Sequence, residues 1–127
     1  NTQLVVDHLG LTQPYVPPVP LEPFSDLDNV IGLADYDNVA IKISGACTLS
    51  HESFPYDDIW APLTEIFEAF GLRRCMWGTD WTRAVGLLSY KNAVEAFRTT
   101  GYISDSDRSQ LMGGSLANIY KWNPDSV

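Results

Sequence analysis

Three short apolar runs constrain this chain more than any other feature: QLVVDHLG, NVAIKISG and RRCMWGTDW. Each is apolar and strand-like, too short for a stable helix, and closes on glycine or a carboxylate, as a buried strand does where it leaves a sheet. Between and after them the spacing turns helical. Phe24, Leu27, Val30, Ile31 and Ala34 predict a helix with Ser25 or Asp26 near its N-cap and Asp37-Asn38 as the turn out. Ile59, Leu63, Ile66, Phe67 and Phe70 mark a second apolar face, and Gly71 fits the C′ position that ends it. Tyr90, Val94 and Phe97 predict a third helix, with two short ones beyond it and Ser104 and Ser115 as candidate caps. Strands alternating with helices imply parallel strands joined by right-handed crossovers, hence an α/β fold.

In such folds ligand chemistry gathers where the carboxyl ends of the strands meet the following loops. Those ends carry His8, then Ser44 and Gly45, then Asp80. Strict alternation puts Leu4, Val6 and His8 on one face of the first strand, and Met76, Gly78 and Asp80 on one face of the last. Both sets are expected to line a common interior, while Cys75, Trp77, Thr79 and Trp81 pack against the helices. Lys42 shares the face of Ser44 and is placed to pair with a carboxylate or contact a substrate. The first loop, LTQPYVPPVPLEP, is too rich in proline for helix or central strand and reads as a lid or a stiff surface crossing. The second, ACTLSHESFPYDD, carries His51.

Composition narrows the classes of function. A chain of 127 residues, 45% hydrophobic, buries one core, so residues 1–127 are expected to form a single unit. Its net charge of −8 and the lack of a basic cluster exclude a sequence-independent nucleic-acid binder. No apolar run approaches the roughly 20 residues of a membrane span. Cys47 and Cys75 lie in apolar segments without C-x-x-C spacing, which predicts buried free thiols and fits a reducing cytoplasm.

Taken in order, VVDHLG, NVAIKISG, LRRCMWGTDWT and the closing GGSLANIYKW resemble the last part of the amidohydrolase-related family of metal-type hydrolases. The branch concerned includes pyrone-dicarboxylate lactonases and sugar lactonases. The resemblance covers essentially the whole chain and implies the C-terminal portion of a TIM-like (β/α)8 barrel, with the three strands as its sixth, seventh and eighth. It also implies catalytic roles for His8 and Asp80. Asp80 would be the general base that takes a proton from the attacking water, and His8 would bind a metal or donate to the scissile carbonyl. Lys42, His51 and Arg83 are candidate substrate contacts, each with a plainer reading: an internal salt bridge, a solvated loop residue and an exposed helix-start arginine.

Two departures from the family pattern bear on chemistry. The H-x-H pair that supplies metal ligands in the family is missing, so His8 and Asp80 form an incomplete set for a divalent metal such as zinc, which needs three or four. The dicarboxylate lactonases carry arginines where this chain has Leu11 and Thr48, which favours a neutral or sugar-like lactone. Because a complete barrel takes about 250 residues, the chain is expected to be part of a longer polypeptide. The missing N-terminal half of the barrel, or a second copy, would cover edges and an apolar interior face otherwise left open. The isolated chain is then expected to be inactive as a hydrolase, with a decarboxylase of the same superfamily or a non-catalytic half-barrel module as alternatives.

Overall fold

The computed structural model describes residues 2–126. Strands β1 (Leu4–Val6), β2 (Val39–Ser44) and β3 (Cys75–Gly78) form one parallel sheet in the order β1-β2-β3. The sheet confirms the expected alternation of strand and helix. Register pairs Val6 with Ile41 and Ser44 with Gly78, so the three carboxyl ends lie side by side. After β1 the proline-rich loop leads to α1 (Leu27–Gly32), and after β2 a second loop leads to α2 (Trp60–Phe70). Beyond β3 come the single turn α3 (Trp81–Ala84), then α4 (Tyr90–Arg98), α5 (Asp105–Ser109) and α6 (Ser115–Tyr120).

One face of the sheet supplies the core. Val39, Ile41, Ile43 and Cys75 bury against Val30 of α1, Leu63, Ile66 and Phe67 of α2, Phe97 of α4 and Leu111. Trp77 joins this layer, its ring 6.1 Å from that of Phe97, as expected for the aromatic parity of β3. Cys47 and Cys75 are free and buried, and burial pushes each thiol up to about 12.

The expected parity of β1 is overturned. Val6 is paired with Ile41 and packs on the helical layer, so Leu4 and Val6 do not share an interior face with His8. The strand ends at Val6, and Asp7 then takes the face of Lys42. His8 reaches that face through a tight turn in which His8, Leu9 and Gly10 all have positive φ. Alternation fails there because the backbone has left the strand.

Three further expectations change. The first helix begins at Leu27 rather than Phe24, because residues 22–26 form turns. The two short helices at the end are one helical rod, since α5 runs through a π-helical turn (Gln110–Gly114) straight into α6. Ser104 caps it by accepting from Asp107 N–H, but Ser115 is no cap: it is fully buried, donates to the Leu72 carbonyl at 2.6 Å and accepts from Gln110. The opposite sheet face is also less open than expected. Ala40 and Met76 on it are 1% and 2% exposed, and Tyr120 of α6 reaches Lys42 there.

Candidate active site

Each strand leaves the sheet through a residue in left-handed conformation: His8 after β1, Gly45 after β2 and Asp80 after β3. Positive φ is ordinary for glycine but sparse for other residues, and such positions cluster at functional sites. These turns bring side chains from all three strand ends together. His8 Nδ1 lies 2.8 Å from Ser44 Oγ and 3.5 Å from Asp80 Oδ2. Its Nε2 has no hydrogen-bond partner among the described residues. The geometry therefore unites the two residues on which the catalytic expectation rests, with Ser44 beside His8.

Arg83 is not exposed. Its side chain is 6% accessible and that of Asp80 10%, and Nε donates to Asp80 Oδ2 at 2.5 Å. The rest of the guanidinium spans the neighbouring loops: Nη1 donates to the Pro14 carbonyl at 2.6 Å, and Nη2 to Gln13 Oε1 at 3.0 Å and Thr48 Oγ1 at 3.1 Å. Thr48 in turn donates to the Gly45 carbonyl, and Gln13 to that of His8. Gly45 is required at this spot, because a Cβ there would collide with Arg83 Nη2 and crowd Gln13 and Asp80. Sequence reasoning missed Gln13 and Thr48 as Arg83 partners. Their only local sign is proximity to strand ends.

Lys42 and His51 lie outside this cluster. Lys42 Nζ pairs with Asp7 Oδ1 at 2.7 Å. The hydrogen bond lowers the Asp7 carboxyl below its usual range and raises the Lys42 ammonium above its own. His51 Nε2 meets the Pro20 carbonyl at 2.8 Å, tying the second loop to the proline-rich one, and its backbone N–H donates to Asp58. A cleft of about 380 Å³ opens beside Thr48, between the proline loop, the second loop and the start of α4.

As a metal centre the arrangement is inadequate. His8 and Asp80 supply two donors, Asp80 Oδ2 is already engaged by a guanidinium, and no group of three or more His, Cys, Asp or Glu among the described residues could hold an ion. The residues present do not fit a divalent cation by themselves.

A parallel sheet with its polar groups gathered at the carboxyl ends of the strands defines the α/β class. Comparison with known proteins makes this specific. The family model Amidohydrolase matches residues 1–120, and the chain belongs to that family. It is 34% identical over 83 residues to 4-sulfomuconolactone hydrolase of Rhizobium radiobacter, a match covering 64% of this chain and 25% of that protein. An amidohydrolase of Burkholderia multivorans, crystallised with bound zinc, superposes with a TM-score of 0.72 at 26% identity over 96% of this chain and 45% of its own. A Pseudomonas putida protein designated a candidate 2-pyrone-4,6-dicarboxylic acid hydrolase gives 0.65 at 25% identity, covering 92% and 42%. The chain thus spans a quarter of the curated relative and under half of the solved structures, as a portion of a TIM-like barrel does.

Proposed function

We propose that this chain forms the C-terminal part of a lactone hydrolase in which Asp80 is the general base. The observation that carries the reading is the setting of Asp80 at the end of β3. One oxygen is fixed by Arg83 and faces His8, while Oδ1 has no hydrogen-bond partner among the described residues and is free to meet a water. In the reaction, water oxygen bonds to the ring ester carbonyl carbon as Asp80 Oδ1 accepts its proton. The bond to the ring oxygen then breaks, that oxygen takes the proton held by Asp80, and a hydroxy acid results with the carboxylate restored. His8, through its free Nε2, is placed to donate to the carbonyl oxygen as charge develops there.

Substrate preference follows from the polar groups on offer. The cleft beside Thr48, which His8 and Asp80 do not themselves line, holds Ser50, Ser53, Tyr56 and Asn92 among apolar residues, with Glu52 as its charged member and no lysine or arginine. Arg83 is committed to four protein acceptors. Both features support a neutral or sugar-like lactone over a dicarboxylate. For Lys42 and His51 we infer support of the loops rather than substrate contact, since each already has a protein partner. A divalent ion such as zinc would need donors from outside this chain, and no step above passes through one. The buried free thiols support a cytoplasmic setting.

The test is a panel of lactones and carboxylated aromatic acids presented to the complete polypeptide containing this chain and to the 127-residue chain alone. Lactone turnover by the complete protein is expected, with kcat reduced about 10²–10⁴-fold in Asp80→Asn and little or no turnover by the isolated chain. Acid decarboxylation without lactone hydrolysis, or full activity in Asp80→Asn, would overturn the proposal.

A further inference from the structure

Arg83 is the best-connected side chain at the strand ends, and the reaction as derived gives it no part beyond its bond to one oxygen of Asp80. Its guanidinium contacts one loop from every strand of the sheet: Gln13 and Pro14 after β1, Thr48 after β2 and Asp80 after β3. These contacts span up to 70 positions of sequence. A group that bound an anionic substrate would keep its planar fork free for a second pair of oxygens. Here the fork is filled by protein acceptors, and the side chain is 6% exposed. The space it fills is also built for it, because the backbone at Gly45 passes so close to Nη2 that any side chain there would collide.

We infer that Arg83 is a positioning residue: its guanidinium locks the three strand-end loops together and aims the Asp80 carboxylate, so that Oδ2 is held and Oδ1 is presented to the reacting water. The inference rests on the general-base reading of Asp80. Two consequences distinguish this role from substrate binding. Losing the guanidinium removes no group assigned to touch the substrate, so ground-state affinity falls only as far as the loosened loops disturb the cleft wall at Thr48. The carboxylate, however, loses the partner that fixes its rotamer, and the near-attack geometry goes with it.

The experiment uses the complete polypeptide with Arg83→Met and Arg83→Lys. With the lactone identified in the panel above, Arg83→Met is expected to lower kcat by about a hundredfold while KM rises by less than about tenfold. Added guanidinium ion should recover at least about a tenth of the lost rate in Arg83→Met, and Arg83→Lys, which keeps the charge without the fork, should fall between the two. A KM rise of tenfold or more with kcat retained would reassign Arg83 to the substrate, and unchanged kinetics would make it a spectator; either overturns the inference. If the wild-type protein hydrolyses no lactone, the proposed function fails separately, and loop locking is read without turnover. Proteolysis within residues 11–23 should then be at least about tenfold faster in Arg83→Met and slowed by guanidinium, and equal rates in wild type and variant would sink the locking role.

Discussion

At the scale of single residues, the strand ends are shaped by backbone conformation as much as by side chains. Gly45 has φ +73° and faces Arg83 across a gap with no room for a methyl group. Gly45→Ala should therefore cost about 1–3 kcal/mol, read from urea unfolding, by combining a left-handed alanine with displacement of the guanidinium. The Lys42–Asp7 pair makes a different prediction. Because Asp7 is depressed by Lys42, its share of the stability is present above its unfolded value near ~4 and is lost as pH falls through the lower folded value. Lys42, raised by the same bond, contributes below its unfolded value near ~10.4 and ceases to as pH climbs through the raised one. Both groups are partly exposed, so Lys42→Met should cost no more than about 1 kcal/mol at pH 7. The difference from wild type should shrink as pH falls below the unfolded Asp7 value of ~4, as thermal melts at pH 7 and pH 3 would reveal.

At the scale of elements, arginines rather than charge pairs tie helix ends to the sheet. Arg74 donates from Nε to the Phe70 carbonyl at the end of α2. Its two terminal nitrogens bond the Ala34, Tyr36 and Val39 carbonyls at the entry to β2, and the guanidinium lies 5.2 Å from the centre of the Phe70 ring. Arg108 of α5 ties helix to helix instead, donating to the carbonyls of Phe97 in the last turn of α4 and of Thr100 just beyond it. Arg74→Met strands several carbonyls and should lower stability by about 2–3 kcal/mol, with a matching fall in the midpoint of denaturant unfolding. The helices and strands themselves were legible in sequence because period 3.6 and short apolar runs survive any tertiary context. The π-helical turn at Gln110–Gly114 was not, because no apolar period marks it, and Ser115 just beyond it finds its acceptor on Leu72, 43 positions away. The reversed parity of β1 was hidden for a related reason: alternation carries no notice that the strand stops at Val6.

At the scale of the whole molecule, three parallel strands leave β1 and β3 as edges. Leu4 on β1 is 51% exposed, and Trp122 beyond α6 is 49% exposed. An uncovered edge invites pairing, so the chain alone should self-associate in sedimentation experiments as its concentration rises, and Leu4→Lys should weaken that association. Strands from the rest of the barrel would remove the effect in the complete polypeptide. What the sequence determined by itself was local and periodic: the order of strands and helices, the two buried thiols, and the placing of His8 and Asp80 at strand ends. Tertiary structure alone decided that Arg83 is buried at the centre of the strand-end loops, that Lys42 belongs to Asp7, and that the far face of the sheet is partly covered. The physical reason is that these depend on hydrogen bonds between residues dozens of positions apart, and a hydrogen-bond donor carries no mark in the sequence of which acceptor folding will bring to it.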